Sequence, residues 1–152
     1  MMAGVLGVLS SPGLRAEPVT NTRTIPHTLP THPGNIFVVG EQIVVSAPPQ
    51  ALQAWRAVDY DGATVAEGRL DDNGRAWLGK LPVGYYELLS SAGHGTNRVT
   101  LGVLEPLRAP TPLTSPIAID VAMAWFFPKE RMAPLASLCA LAGINWVRDR
   151  LL

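Results

Sequence analysis

The sequence predicts a mainly β protein, an immunoglobulin-like antiparallel β-sandwich followed by a partial strand–helix–strand unit. Three observations lead there. Between Asn35 and Leu104, seven short runs rich in Val, Ile, Leu, Trp and Tyr are separated by Gly, Asp, Asn or Pro at strand-length intervals. Beyond a proline cluster, a near-continuous apolar run precedes a helix-period segment and another apolar run, which is the order of a parallel βαβ unit. The 152 residues are 47% apolar and only 16% charged, against roughly 25% charged in a typical soluble domain, so material for a core is ample.

Charge and length remove several function classes. Twelve Lys and Arg balance twelve Asp and Glu, which leaves no electrostatic grip for nucleic acid or an anionic membrane. A complete (β/α)8 barrel needs about 250 residues. Cys139 is the sole cysteine, so neither an intrachain disulfide nor a zinc site on paired cysteines is expected, and it reads as a small core residue.

Along the chain, residues 1–16 read as a leader, with an apolar run from Met1 to Leu9 and Ala16 before a cleavage point, although no positive n-region precedes it. Cleavage would imply a secreted or periplasmic protein, and its absence a cytoplasmic one. No transmembrane segment is expected, because the run is far short of about 20 apolar residues. Residues 17–34 hold Pro18, Pro26, Pro30 and Pro33 among threonines and read as an extended linker, in which His27 and His32 are solvated.

The sandwich spans residues 35–104. Its expected strands are Ile36 to Val39, Ile43 to Ser46, Ala54 to Asp59, Thr64 to Leu70, Arg75 to Leu81, Tyr85 to Leu89 and Arg98 to Val103. Asp61-Gly62 and Asn73-Gly74 supply hairpin turns that need positive φ. Alternation places Ala54, Arg56, Val58 and Tyr60 on one face and Trp55, Ala57 and Asp59 on the other. Adjacent Tyr85 and Tyr86 must then divide, one into the core and one outward. A packed tyrosine is the commoner outcome, and one lining a sugar-binding groove the sharper reading. The carboxylate pairs Asp59/Asp61 and Asp71/Asp72 fall at turns, where such groups accept backbone N–H bonds instead of doing acid–base chemistry.

Residues 105–116 carry Pro106, Pro110, Pro112 and Pro116 and form a second linker. The segment 117–152 opens with an apolar run to Phe127, expected as a strand buried on both faces. A helix follows with Leu135, Leu138, Cys139 and Ala142 on one stripe, Pro134 in its first turn and Gly143 ending it. Ile144 to Arg148 is the second strand.

The passage Leu138-Cys139-Ala140-Leu141-Ala142-Gly143-Ile144-Asn145-Trp146-Val147-Arg148-Asp149 resembles the helix, Ala-Gly-Ile-Asn, Val-Arg passage of (β/α)8 glycoside hydrolases, in the clan containing family 39 and related cellulase-like enzymes. Upstream, Asn35-Ile36-Phe37, Gly40-Glu41, Val58-x-Asp-Tyr-Asp-Gly62 and Leu81-Pro-x-Gly-Tyr-Tyr-Glu87 are similar to the β-sandwich that precedes the barrel in some such proteins. The resemblance implies a passage from the first barrel helix into the second strand, with an arginine on the active-site rim at the position of Arg148. It makes 117–152 the truncated start of a (β/α)8 barrel, whose remainder is the implied partner domain, and carbohydrate the implied ligand.

A retaining glycoside hydrolase needs two carboxyl groups about 5 Å apart, which the clan carries on its fourth and seventh strands. Residues 117–152 amount to about one and a half βα units of eight. The expectation is therefore a glycoside hydrolase fragment that is inactive alone, with no catalytic residue, metal or cofactor. The candidate substrate contacts are Arg148, Asp149 and Trp125. Serine-elbow, phosphate-loop and His-Glu-x-x-His signatures are absent from the sequence. The rival reading is a self-contained β-sandwich module for carbohydrate binding or interaction, which would display exposed aromatics on one sheet face.

Overall fold

A computed structural model describes residues 23–48, 53–92 and 95–149. Residues 1–22, 49–52, 93–94 and 150–152, which include the expected leader and the start of the expected first linker, lie outside this range. The first seven strands are β1 (Ile36–Val38), β2 (Ile43–Ser46), β3 (Ala54–Asp59), β4 (Thr64–Arg69), β5 (Arg75–Gly79), β6 (Gly84–Ala92) and β7 (Gly95–Leu104). They match the seven sequence runs to within a few residues. One sheet has the order β1-β7-β6-β3-β4, and β2 pairs with β5 in a second, two-stranded sheet.

The pairing corrects one expectation. The five-stranded sheet is mixed, because β1 runs parallel to β7, with Ile36 opposite Gly102 and Val38 opposite Leu104. Every other pair in it is antiparallel. Nothing local in a three-residue run reports the direction of the strand it will join.

Alternation then builds the core. Phe37 from β1, Trp55 and Ala57 from β3, Tyr86 and Leu88 from β6, and Leu101 and Val103 from β7 pack into one buried cluster with Ile43, Val45, Ala76 and Leu78 from the smaller sheet. A bulge between Ala57 and Val58 breaks the β3 alternation, so Val58 is buried beside Ala57. The tyrosines divide as expected: Tyr86 is buried, with its hydroxyl donating to the Pro82 carbonyl at 2.8 Å, and Tyr85 faces out.

The hairpins close through carboxylates. Asp59 Oδ1 accepts from the Asp61 and Ala63 amides, and Asp71 Oδ1 from the Asn73 and Arg75 amides. Gly62 and Gly74 take φ of 84° and 70° in these turns, a region that costs other residues steric strain. Asp71 Oδ2 also accepts from Trp77 Nε1 and Arg75 Nε, each at 2.9 Å. The Trp77 indole, followed by the Arg75 amide, brings the Asp71 pKa down to about 2.

The Pro/Thr-rich segment before β1 is not solvated along its length. His32 stacks on Phe37 at 4.2 Å and lies 3.5 Å from Glu41 Oε2. Burial works against the Glu41 carboxylate, but bonds from the Thr28 hydroxyl and Val38 amide, with His32 beside them, hold its pKa below the ordinary value.

The C-terminal part contains β8 (Ala118–Val121), a helical turn α1 (Met123–Phe126), a 3-10 turn (Lys129–Arg131), α2 (Met132–Leu141) and β9 (Trp146–Asp149). β8 and β9 pair in parallel across α2, as the strand–helix–strand order implies. The apolar run from Ile117 is not one long buried strand. Only four of its residues are strand, and the chain turns helical at Met123. Both strands are largely exposed. Gly143, with φ 73°, ends α2. Its amide donates to the Ala140 carbonyl and that of Ile144 to Cys139, the paired reverse bonds of a Schellman motif.

Candidate functional site

Parallel strands carry their neighbours' ends to the same side, and in α/β proteins ligand chemistry gathers at the C-terminal ends of such strands. The β8–β9 register sets Asp120 opposite Arg148 and Val121 opposite Asp149. Arg148 Nε stands 3.7 Å from Asp120 Oδ2. Asp149 Oδ2 accepts a 3.1 Å bond from the Ala124 amide in α1, where a negative charge meets the positive end of the helical turn. Trp125 follows Ala124 directly and is 51% exposed. The three expected contacts, Arg148, Asp149 and Trp125, thus come to one edge of the parallel pair. Asp120 joins them, a partner that only the register reveals.

The chemistry available at this edge is recognition. One guanidinium and two carboxylates gather here, and Trp125 is the next residue along the chain from the Ala124 amide that Asp149 accepts from. Asp120 is engaged with Arg148, and Asp149 with the backbone. Such a set can both donate and accept hydrogen bonds at the edge of a polar ligand.

The edge is held to the preceding chain by Asn145. Its Nδ2 donates to the Leu113 and Ser115 carbonyls at 2.9 and 2.7 Å, and its Oδ1 accepts from Arg23. Trp146 Nε1 donates to Ser115 as well. The asparagine of the Ala-Gly-Ile-Asn passage therefore fixes the approach to β9, and Arg23 of the first linker anchors there. Neither contact had a local sequence signal, since the partners lie 30 to 122 positions apart.

A second cluster lies on the outward face of the five-stranded sheet. Tyr85 and Glu87 project from β6, Arg98 from β7, and Tyr60 from the turn after β3. Together they line a cavity of about 680 Å³. The Tyr85 hydroxyl donates to Glu87 Oε1 at 3.1 Å, and Arg98 Nη2 donates to the same oxygen. The Tyr85 hydroxyl, and after it the Glu87 carboxylate, hold the Arg98 pKa above its ordinary value. Alternation in β6 could have placed Tyr85 and Glu87 on one face, but the Arg98 partnership needed the β6–β7 register.

Among the described residues, no group of three or more His, Cys, Asp and Glu side chains could hold a metal ion. No helix among them is long and apolar enough to cross a membrane. Neither a protein-family model nor a curated protein matches the sequence.

Proposed function

We propose that the chain is the accessory β-sandwich and the opening strand–helix–strand of a (β/α)8 glycoside hydrolase, serving as scaffold and glycan contact without cleaving glycosidic bonds itself. The observation that carries this reading is the parallel β8–α2–β9 unit, whose strands expose apolar side chains. Ile119, Trp146 and Val147 in the strands, and Ile117 just before β8, are exposed, whereas parallel sheets are ordinarily covered on both faces. A parallel pair of this kind is the natural seat for further βα units, and Arg148, near the end of β9, is the residue that the resemblance would put on the rim of such a barrel.

The immunoglobulin-like form of the sandwich belongs to the same proposal. In that scheme β2 and β5 are strands B and E, and β3, β6 and β7 are C, F and G. Support comes from Tyr86, near the start of β6, whose hydroxyl reaches back four residues to the Pro82 carbonyl in the manner of a tyrosine corner. A carbohydrate ligand suits the rim chemistry of Arg148, Asp149 and Trp125. Export remains part of the reading only through the leader.

The test is twofold. The purified chain should release no product from aryl glycosides or plant polysaccharides; cleavage with contamination excluded would overturn the assignment. Deleting residues 116–152 should leave the sandwich folded and reduce binding of a hydrophobic dye, because the exposed apolar surface of β8, α1 and β9 leaves with it. Unfolding of the sandwich on that deletion would contradict the division.

A further inference from the structure

We infer that the outward face of the five-stranded sheet carries a saccharide-binding site built from Tyr60, Tyr85, Glu87 and Arg98. It is separate from the β8–β9 edge and does not depend on the barrel assignment.

The site follows from register and alternation. On β6 the inward residues are Tyr86, Leu88 and Ser90, so Tyr85, Glu87 and Leu89 point outward. On β7 Arg98 is set opposite Leu89 and Thr100 opposite Glu87, which brings the guanidinium diagonally onto the Glu87 carboxylate. Tyr60 lies in the β3–β4 turn, adjoining Asp59, which pairs with Tyr86. It is 82% exposed, and Tyr85 is 41% exposed. Both residues therefore present ring surface to water. A second cavity of about 380 Å³ shares both tyrosines and extends past Asp61, Val65 and Val83. The rings therefore line two adjoining hollows, of a size suited to small ligands.

The polar groups are organised before any ligand arrives. Glu87 Oε1 holds both the Tyr85 hydroxyl and Arg98, which fixes the Tyr85 ring and the guanidinium plane against each other. Fixing them in advance removes ordering cost from binding. Arg98 carries five N–H donors and Glu87 a second acceptor oxygen, so the pair offers donors and an acceptor side by side while its charges cancel.

A ligand matched to this face has a flat apolar surface for the rings and adjacent groups at its edge that both donate and accept. A pyranose ring has that anatomy, with C–H bonds on its face and neighbouring hydroxyls on its rim. A simple anion would meet the Glu87 charge, and a simple cation the Arg98 charge. The ligand class is accordingly a neutral oligosaccharide.

The test uses the full chain. Calorimetric titration with cellohexaose, xylohexaose and laminarihexaose at millimolar concentration is expected to give saturable binding for at least one of them. Amide shifts in ¹⁵N spectra should centre on Tyr85–Leu89 and Arg98–Gly102. Tyr60→Ala and Tyr85→Ala should each weaken binding about tenfold, a loss of roughly 1.4 kcal/mol. Tyr85→Phe keeps the ring, loses the Glu87 bond and should lose less. Trp77→Ala removes an exposed indole on the other sheet and should leave affinity unchanged. Absence of binding to all three sugars would overturn the inference. So would binding that survives both tyrosine replacements, or that maps to Trp125 and Arg148, which would instead favour the β8–β9 edge as the glycan contact. Variants are compared only where their far-UV spectra match the parent chain; if Tyr85→Ala fails that standard, Tyr60→Ala on the exposed turn and Tyr85→Phe decide the matter.

Discussion

Replacing Tyr86 by Phe removes one oxygen from the turn that leads into β6 and leaves the ring in place. The hydroxyl is the donor to the Pro82 carbonyl at 2.8 Å, and the residue is 4% exposed. A net intramolecular hydrogen bond is worth about 1 kcal/mol, and a buried acceptor left without its partner costs about 1–3 kcal/mol. The bond is only partly buried, so the lower half of that range applies. Tyr86→Phe should then destabilise the fold by about 1–2 kcal/mol and lower Tm by roughly 2–8 °C in a chain of this size.

Urea and thermal unfolding followed by far-UV circular dichroism measure both quantities. A double-mutant cycle sharpens the test. A Cβ at Gly84 would stand 3.1 Å from Tyr86 Oη and 3.2 Å from Cζ, so Gly84→Ala presses on the ring that Tyr86→Phe relieves in part. The two changes should couple by about 0.5 kcal/mol or more. Tyr86 also has its pKa raised, by burial first and then by the Asp59 charge. A tyrosine whose folded pKa exceeds its unfolded value contributes stability below the ordinary value, and that contribution is lost as pH rises from the ordinary value through the folded one. Tyr86→Phe should abolish this alkaline loss. An unchanged midpoint in Tyr86→Phe, with full additivity against Gly84→Ala, would refute the corner as a stabilising device.

Three further outcomes are expected. The Asp71 carboxylate should titrate near 2 by NMR; its stabilising effect is complete above the ordinary carboxylate range and disappears as pH falls through that value, and Trp77→Phe should move the midpoint upward, whereas an unmoved midpoint would remove the indole as the cause. Gly68→Ala places a Cβ 2.9 Å from Trp55 Cζ2, so unfolding should cost about 1–3 kcal/mol less, with altered Trp fluorescence; a neutral substitution would contradict that packing. Gly143→Val forces a β-branched residue to φ 73° and should destabilise α2 by about 1–2 kcal/mol, seen as lost helical signal and not as lost sheet.

The strands were legible in the sequence because each run is short, β-branched or aromatic, and closed by a turn residue with a mechanism, as at Asp61-Gly62 and Asn73-Gly74. The division of Tyr85 from Tyr86 followed from period two alone. What was not legible is non-local. The parallel partner of β1, the Asp120–Arg148 pair and the Glu87–Arg98 pair all depend on register, which no single run encodes. The Ile117–Phe127 run shows a different limit. Continuous apolarity has no period, so it does not distinguish a strand from a helical turn, and the switch at Met123 was invisible. The composition around His32 predicts a solvated side chain, yet the Phe37 ring and Glu41 hold it. For the candidate contacts, Arg148 and Asp149 are reachable only through the resemblance of their passage to one in barrel enzymes, while Tyr60 joins Tyr85 only once β3 and β6 are paired.

On the proposed reading, the β8–α2–β9 unit is stabilised only by docking against further βα units, whereas the seven strands before it fold without it. Native-state hydrogen exchange on the intact chain tests this most directly. Slow exchange, set by global unfolding, is expected for β3, β6 and β7 amides, and fast, locally governed exchange for Ala118–Val121 and Trp146–Asp149. Equal protection of the two sets would mean that the parallel pair is closed within this chain, and would contradict the barrel reading.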